Sequence, residues 1–590
     1  MKTIFSNILL PVFLVGIILS LQSCEDYLEK TPESDITEEE IFSTYESFQG
    51  FVDVMYGLLV DFNSHALTTG SENGDHTIAF QGWASARKYA TGNYWEFLDR
   101  MHSNYWTTED GVSLESGSGI WIDGYKGIRI ANIALKNLEM LNATQEQINL
   151  IKGQAHFFRA YFHWEIIVRW GGIPYVDFVI SASDDMNLAR LNFQETAEKV
   201  IADMDIAAGL LPDDWDQTLV GGARLGFNTG RATKGAALAT KAKALLYCGS
   251  PLMVADAGGG YVYDQNYMER AAAAAWEVIK LADAGVYKLL PFDQIQRNFA
   301  TMDGTIVWSD EWVWGKLRTS SGSGEQLNRH GRLYTPGRFG GNDIVETAVQ
   351  NLVDAFDMKD TGLPYDDPAS NYEETEPWSN RDPRFREFIL VDGDLAGFAP
   401  TTKLTLFEGG ADKGNVGILS SYIVRKYWPR GANSIDQLWG QYSYATPHIR
   451  LADVYLMYAE AVNEAFGPFG SAPGATLTAA EAVNIVRARS QMPPVHSKFT
   501  GNKDEFRKRI WNERSVELCF EGARWNDTRR WYVAHLPEYK VQYDLVFDEG
   551  HTTFRREVRF HRTFEQRHYW MPFPRSQTLM YPEWPQNPGW

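Results

Sequence analysis

The stretch from Leu451 to Phe466 reads Leu-Ala-Asp-Val-Tyr-Leu-Met-Tyr-Ala-Glu-Ala-Val-Asn-Glu-Ala-Phe, and it decides the fold class of the chain. Apolar side chains recur in it at steps of three and four residues, at Leu451, Val454, Tyr455, Tyr458, Val462 and Ala465. This spacing places them on one stripe of an α-helix, and that stripe needs a partner to be buried. The segment 479–490 follows closely and predicts the second helix of a pair.

Two further pairs of helices are predicted from similar segments. Residues 229–248 are rich in small side chains, and a second small-residue helix begins at 271–275 and ends near Gly285. Residues 125–141 and 148–170 form the other pair. Small side chains let helix axes approach closely, as in stacked helical hairpins, although no strict 34-residue repeat is visible. The predicted fold is mainly α, with a tetratricopeptide-like scaffold of helical pairs.

Between about residues 291 and 447 the sequence becomes rich in Gly, Pro, Asn and Trp. Short alternating runs, such as 305–314 and 422–428, predict an irregular, loop-rich region with short β-strands. The chain has 590 residues and is large enough for a substantial core. We expect residues 46–290 and 291–590 to be the two parts of a single domain.

The N-terminus has the pattern of a cleaved export signal. Lys2 precedes an apolar run from Ile4 to Leu21, and Ser23-Cys24 closes that run. A cysteine at this place can be acylated before cleavage, which anchors a chain by lipid instead of by a spanning helix. We predict a lipoprotein signal peptide over 1–23, lipidation at Cys24 and an acidic tether over 24–45. The alternatives are a plain secretory signal and an N-terminal membrane helix.

Composition and motifs argue against several classes of function. The formal net charge of -21 opposes binding to a phosphate backbone, so nucleic acid is not an expected partner. Three cysteines are too few for a metal cluster of cysteines. Cys248 and Cys519 lie in apolar, helix-like sequence, which favours buried thiols over a disulfide between them.

The sequence carries few signals of catalysis. It has no nucleophile-elbow, phosphate-loop or zinc-protease motif, and we predict no catalytic residue, cofactor or metal site. Asp213-Asp-Trp-Asp216 offers oxygen ligands for calcium, but the run lacks the glycine and terminal glutamate of an EF-hand and favours a solvated turn. The segment 512–531 carries Glu513, Glu517, Glu521 and Arg524 on one helical face, which favours charge-assisted contacts between helices.

The same segment closely resembles the SusD/RagB family, through Glu-Arg at 513–514, Phe-Glu-Gly at 520–522 and Arg-Trp-Asn-Asp at 524–527. The resemblance extends over nearly the whole mature chain and includes Cys24-Glu-Asp-Tyr-Leu-Glu, Ala155-His-Phe-Phe-Arg-Ala-Tyr-Phe, Gly171-Gly-Ile-Pro, Gly230-Arg-Ala-Thr-Lys, Arg381-Asp-Pro-Arg-Phe, Leu456-Met-Tyr-Ala-Glu-Ala and Gln586-Asn-Pro-Gly. One departure is Gln154, where the family usually has Glu. The resemblance implies an outer-membrane lipoprotein facing the cell exterior, which captures oligosaccharide and caps a SusC-like, TonB-dependent barrel.

The resemblance also implies which loops meet the ligand. In relatives, aromatic side chains come from a loop ahead of the first helical pair and from the irregular region, which correspond here to 75–106 and about 327–341. Sugar rings stack their C–H faces on aromatic planes while polar groups bond the hydroxyls. The candidate residues are Trp106, Trp83, Trp95, Asp75, Tyr334 and Phe339.

Three other functions remain open at this stage. The same architecture serves uptake of oligopeptides in the family. A cell-surface glycoside hydrolase needs two suitably spaced carboxylates, and the chain has 76 acidic residues. A purely structural solenoid would join the barrel without binding ligand. Oligosaccharide capture without turnover is the leading expectation.

Overall fold

The computed structural model describes residues 37–60, 74–79, 85–95, 119–185, 187–317, 335–341, 346–413, 419–438, 442–581 and 584–590. The helices are α1 Glu38–Phe42, α2 Tyr45–Gly57, α3 Ser85–Ala90, α4 Ile120–Lys136, α5 Gln145–Trp170, α6 Phe193–Leu210, α7 Leu219–Gly222, α8 Lys234–Cys248, α9 Pro251–Asp256, α10 Gln265–Asp283, α11 Gln350–Ala355, α12 Pro383–Phe388, α13 Leu451–Phe466, α14 Ala479–Arg489, α15 Ser497–Thr500, α16 Lys503–Glu517, α17 Ala523–Arg530 and α18 Arg575–Met580. The strands are β1 Thr77–Ala79, β2 Ala300–Thr301, β3 Trp312–Gly315, β4 Glu346–Ala348, β5 Ile389–Leu390, β6 Ile423–Val424, β7 Ser443–Tyr444, β8 Pro447–Arg450, β9 Val541–Phe547 and β10 Phe554–His561.

The long helices form one continuous stack. Helices α4, α5, α6, α8, α10 and α13 each pack against the next in that order, and α13 also packs against α14 and α16. This arrangement confirms the mainly α fold of helical pairs. Helix α6, which the sequence analysis did not assign to a pair, fills the place between α5 and α8. The contact between α10 and α13 closes the stack across the irregular region that separates them in sequence.

Glycine and alanine allow the close approach of these helices. A Cβ on Gly127 of α4 would lie 2.1 Å from a ring carbon of Phe162 on α5, and one on Gly124 would lie 2.8 Å from Cδ1 of Ile166. Helix α8 buries a series of alanines against its neighbours, at positions 236, 237, 239, 242 and 244. The small side chains therefore set the helix spacing that the sequence predicted.

The region 291–447 contains short strands and turns above a second apolar cluster. Its largest sheet has four strands in the order β1-β4-β6-β5, and separate antiparallel pairs join β2 with β7 and β3 with β8. The predicted strand over 305–314 is confirmed at its C-terminal end, in β3, whereas 305–310 form turns and bends. The two-residue strand β6 lies inside the predicted run 422–428. Phe385, Tyr422 and Trp428 are among the buried residues of the cluster.

Among the helices that the structure describes, none has the length and apolar character required to cross a membrane. The predicted signal peptide 1–23 and the lipidation site Cys24 precede the first described residue, Thr37.

Candidate ligand-binding site

Strands β1 and β4 bring the two predicted ligand segments to one place. Thr77 pairs with Ala348 and Ala79 pairs with Glu346 in an antiparallel register. In such a pair, the chain that leaves one strand and the chain that enters the other lie at the same end. The segment that continues from Ala79 toward Trp106 and the segment that arrives at Glu346 from 327–341 therefore share an edge of this sheet.

Asp75 anchors the start of β1 to helix α17. Arg524 donates from Nε to Oδ1 at 2.8 Å and from Nη2 to Oδ2 at 3.0 Å, and Asp75 is 3% exposed. Burial by itself would raise the pKa of Asp75, but the charge and hydrogen bonds of Arg524 hold that pKa well below its usual range. This predicted ligand contact is thus an internal anchor in the structure, because both carboxylate oxygens already have a buried cationic partner.

Phe339 and Trp95 also make contacts within the protein. Phe339 is 0% exposed, and its ring centroid lies 6.0 Å from that of Trp428 in the second apolar cluster. Phe339 therefore packs beneath its segment instead of facing solvent. Trp95 is half-buried, with its ring 5.8 Å from that of Trp590 and 4.6 Å from the Arg575 guanidinium carbon.

The remaining predicted aromatic residues, Trp83, Trp106 and Tyr334, lie outside the described residues. Their roles stay predictions. The structure does fix the described ends of the segments that carry them, at Ala79, Trp95, Gly119 and Thr335.

The ends of α2 and β3 are joined by hydrogen bonds. Lys316, which follows β3, donates from Nζ to the carbonyl oxygens of Gly57 at 3.1 Å and Leu59 at 2.8 Å. Nε2 of His448 lies 2.9 Å from the carbonyl oxygen of Val60. Burial lowers the pKa of His448 to about 3, so the ring is neutral near pH 7 and donates to this carbonyl. These bonds fasten the two chain ends to each other.

An open groove adjoins the two fastened ends. It consists of a cavity of about 450 Å³ and a neighbouring one of about 350 Å³, which share Thr229, Gly230 and Arg231. The first cavity contains Trp308 and the carboxylates of Asp213, Asp214 and Asp216, and the second extends to Leu59 and Leu317. We call this feature the Trp308 groove. A half-buried indole beside carboxylates has the chemistry that binds sugar rings and hydroxyls.

Trp308 lies in the run 305–314, whose alternation predicts a strand, so its position in the groove was not apparent from sequence. The run Asp213–Asp216 forms a capped turn, in which the Asp214 side chain accepts from the amide of Asp216 and Asp216 accepts from Asn228 at 2.6 Å. The predicted solvated turn is confirmed. Among the described residues, no group of three or more His, Cys, Asp or Glu side chains could hold a metal ion.

The charged segment 512–531 has the architectural role predicted for it. Glu517 accepts from Arg450 at 2.6 Å and from Arg384 at 2.8 Å, and it also pairs with Arg489. Burial opposes ionisation of Glu517, but these three guanidinium groups hold its pKa well below the usual range. Glu521 pairs with Arg450 at 2.8 Å. The acidic side chains at 517 and 521 are therefore committed to internal ion pairs.

The two described cysteines are free and buried, as favoured from sequence. Gln154, the one departure from the family pattern, is also buried and satisfied. Its amide exchanges hydrogen bonds of 2.9 and 3.1 Å with Gln49, and its oxygen accepts from Tyr56 at 3.0 Å. The substitution leaves no gap between α2 and α5.

A stack of helical pairs that carries an aromatic, carboxylate-lined groove defines a helical-repeat protein with a candidate ligand site. The chain belongs to the SusD/RagB family. Residues 311–590 match the model described as "SusD family", and residues 26–246 match the model described as "Starch-binding associating with outer membrane".

Individual relatives agree over most of the chain. SusD-like protein P2 of Formosa agariphila is 24% identical over 530 residues, which cover 88% of this chain and 89% of the relative. A SusD-like protein from Bacteroides fragilis has a TM-score of 0.70 at 22% identity, covering 95% of this chain and 100% of that one. A laminarin-binding SusD-like protein has a TM-score of 0.61 at 19% identity, covering 93% and 100%. The structural matches support the fold.

Proposed function

We propose that this protein is a cell-surface lipoprotein that captures oligosaccharides and does not cleave them. The observation that carries the proposal is the Trp308 groove, in which an indole and three carboxylates line a cavity that adjoins the ends of α2 and β3. The family description of starch binding and outer-membrane association supports the same function. The relative described as laminarin-binding is a further argument for a glycan ligand.

The protein delivers its ligand to a SusC-like, TonB-dependent barrel, which it caps from outside the cell. Cys24 carries the lipid that keeps it at the outer membrane, and the acidic residues after Cys24 act as a tether. The predicted domain arrangement, with a signal over 1–23, a tether over 24–45 and one domain over 46–590, fits a lid that moves while staying attached.

Calorimetric titration of the soluble chain from Glu25 against a panel of oligosaccharides tests the proposal. We expect at least one oligosaccharide to bind, and Trp106→Ala and Trp308→Ala to weaken that binding by about tenfold or more, because each removes a stacking surface. Phe469→Ala is the matched control, since Phe469 is an exposed aromatic residue outside the Trp308 groove.

Binding of peptides in place of every oligosaccharide would favour the oligopeptide-uptake alternative. Release of reducing sugar by the purified protein, abolished by substitution of one carboxylate, would establish a hydrolase instead. If the protein still formed a complex with the barrel and neither tryptophan substitution changed its affinity for a ligand, a structural role would be favoured.

Substitution Cys24→Ala tests the anchor. We expect the variant to leave the membrane fraction and appear in the soluble fraction with an unchanged unfolding temperature, because residues 1–36 precede the described helical stack. Retention in the membrane fraction after high-salt washing would contradict a lipid anchor at this residue.

A further inference from the structure

A cationic cavity lies on the irregular region, outside the Trp308 groove. It has a volume of about 290 Å³ and is lined by three arginines, two carboxylates and two leucines, namely Arg386, Arg425, Arg430, Glu387, Asp394, Leu390 and Leu395. Cations outnumber carboxylates in its lining, although the whole chain has a formal net charge of -21.

Among the described residues, two of the three arginines form no direct ion pair, although the carboxylates of Glu387 and Asp394 attract Arg425. Arg386 forms an ion pair with Asp394, whose Oδ2 also accepts from the amide of Val391 at 2.9 Å. The side chain of Arg425 is half-buried and has no hydrogen bond or ion pair with any described residue. Burial lowers the pKa of the Arg425 guanidinium, which still remains protonated at neutral pH. A half-buried cation of this kind is stabilised by an anion that enters from solvent.

An exposed aromatic ring lies beside one of these arginines, Arg430. Phe398 is 61% exposed, and the guanidinium carbon of Arg430 is 5.6 Å from its ring centroid. The backbone amides of Phe398 and Ala399 donate to the carboxylate of Asp436 at 2.9 and 3.1 Å, and Asn433 donates to the same carboxylate at 2.8 Å. These hydrogen bonds hold the turn that presents the ring. A fixed aromatic face next to arginines suits a sugar ring that carries an acidic group.

The cavity is connected to the second predicted ligand segment. The amide of Ser434 donates to the carbonyl oxygen of Phe339 at 2.9 Å, and Arg338 donates from Nη2 to the carbonyl oxygen of Lys403 at 2.6 Å. The turns around the cavity are thus attached to residues 335–341.

We propose that this cavity binds the oxyanion of an acidic saccharide, a carboxylate or a sulfate ester, with Arg425 as the main donor and Phe398 as the stacking surface. The inference rests on the proposed function for the saccharide class of the ligand. It adds that the cargo is anionic and assigns a site for its charge. Arg430 and Arg386 contribute attraction at longer range, which salt screens.

Titration calorimetry with the full-length protein purified in detergent tests the site. The probes are hexagalacturonate, a sulfated carrageenan hexasaccharide and neutral laminarihexaose, so the two anionic arms distinguish carboxylate from sulfate. Arg425→Gln is expected to weaken binding of at least one anionic probe by about tenfold or more, and Phe398→Ala by about two- to tenfold. Exposed Arg559→Gln on β10 is the matched control and should change nothing.

Thermal unfolding separates a binding role from a structural one. Arg425→Gln removes a half-buried cation that forms no direct ion pair with a described residue, so we expect an unchanged or higher unfolding temperature. A clear fall would assign Arg425 to the fold and overturn the inference. If Arg425→Gln weakened binding of neutral and anionic probes equally, or weakened binding of neither, the inference would also be overturned. Retained binding of laminarihexaose would leave the proposed function intact. Binding of polyglutamate through Arg425 without either saccharide would overturn the saccharide assignment.

Discussion

Two regions of this molecule are packed by different physical means. The stack from α4 to α10 packs largely through apolar contacts that small residues permit, as at Gly127 on Phe162 and along the alanines of α8, although Arg159 and Asp203 form a buried ion pair between α5 and α6. The seam between α13, α14, α16 and the irregular region is held instead by buried ion pairs centred on Glu517 and Arg450. The first kind of packing can be predicted from residues that are close in sequence, whereas the second needs partners from distant parts of the chain.

The seam has a consequence for the candidate site. Arg384 from α12 and Glu311, which precedes β3, join Arg450 and Glu517 in the same network. These ion pairs connect the irregular region to the helices. Because Trp308 and the segment 335–341 belong to that region, the seam helps to fix their position relative to the helices.

The largest expected effect is from Glu517→Gln, which breaks the seam. The substitution leaves three buried guanidinium groups without their shared carboxylate, and the free energy of unfolding should fall by about 3–5 kcal/mol. Chemical denaturation measures the change. The matched control is Glu505→Gln on the exposed face of α16, whose pair with Lys508 should contribute no more than about 0.5 kcal/mol. Similar losses in both variants would contradict the distinction between seam and surface.

A second prediction tests a polar group inside the apolar stack. Nδ1 of His163 on α5 lies 2.8 Å from the carbonyl oxygen of Arg159, and Nε2 accepts from the amide of Val176 at 3.0 Å. These partners require a neutral ring, and burial lowers the pKa of His163 to about 4. Since the unfolded pKa is about 6.5, the unfolded state gains the proton first as pH falls.

The stability contribution of His163 is therefore fully present above about pH 6.5 and is lost as pH falls toward 4, by about 3 kcal/mol. Denaturation at several pH values gives the free energy of unfolding as a function of pH. Between about pH 6.5 and 4, this free energy should fall less steeply for His163→Gln than for the wild-type protein. His561→Gln, at an exposed position of β10, should keep the wild-type slope. Parallel slopes for His163→Gln and the wild-type protein would exclude a buried neutral histidine at 163.

The smallest predicted effect tests the close approach of helices. Gly127→Ala places a Cβ against the Phe162 ring, and we expect a net loss of about 1–2 kcal/mol after the gain in helix propensity. Gly209→Ala in α6 meets no atom within 4 Å and should gain up to about 1 kcal/mol. A lower unfolding temperature for Gly127→Ala with a higher one for Gly209→Ala would support packing as the cause. A higher unfolding temperature in both variants would indicate that helix propensity is the sole effect.

The sequence by itself determined the helices, because their signal lies in residues three and four positions apart. The predicted segment Leu451–Phe466 is helix α13 with the same bounds, and the predicted pairs recur as α4 with α5, α8 with α10 and α13 with α14. The burial of Cys248 and Cys519 followed from the same local patterns. The family motifs identified the class of protein before any contact was known.

Tertiary structure alone decided which loop side chains are available to a ligand. Asp75 and Phe339 were chosen by residue type and position, yet Arg524 and Trp428, distant in sequence, place both in the interior. The Trp308 groove and the cavity around Arg425 were not apparent from sequence for the same reason. Exposure and charge pairing in irregular segments depend on long-range partners, and no local periodicity specifies those partners.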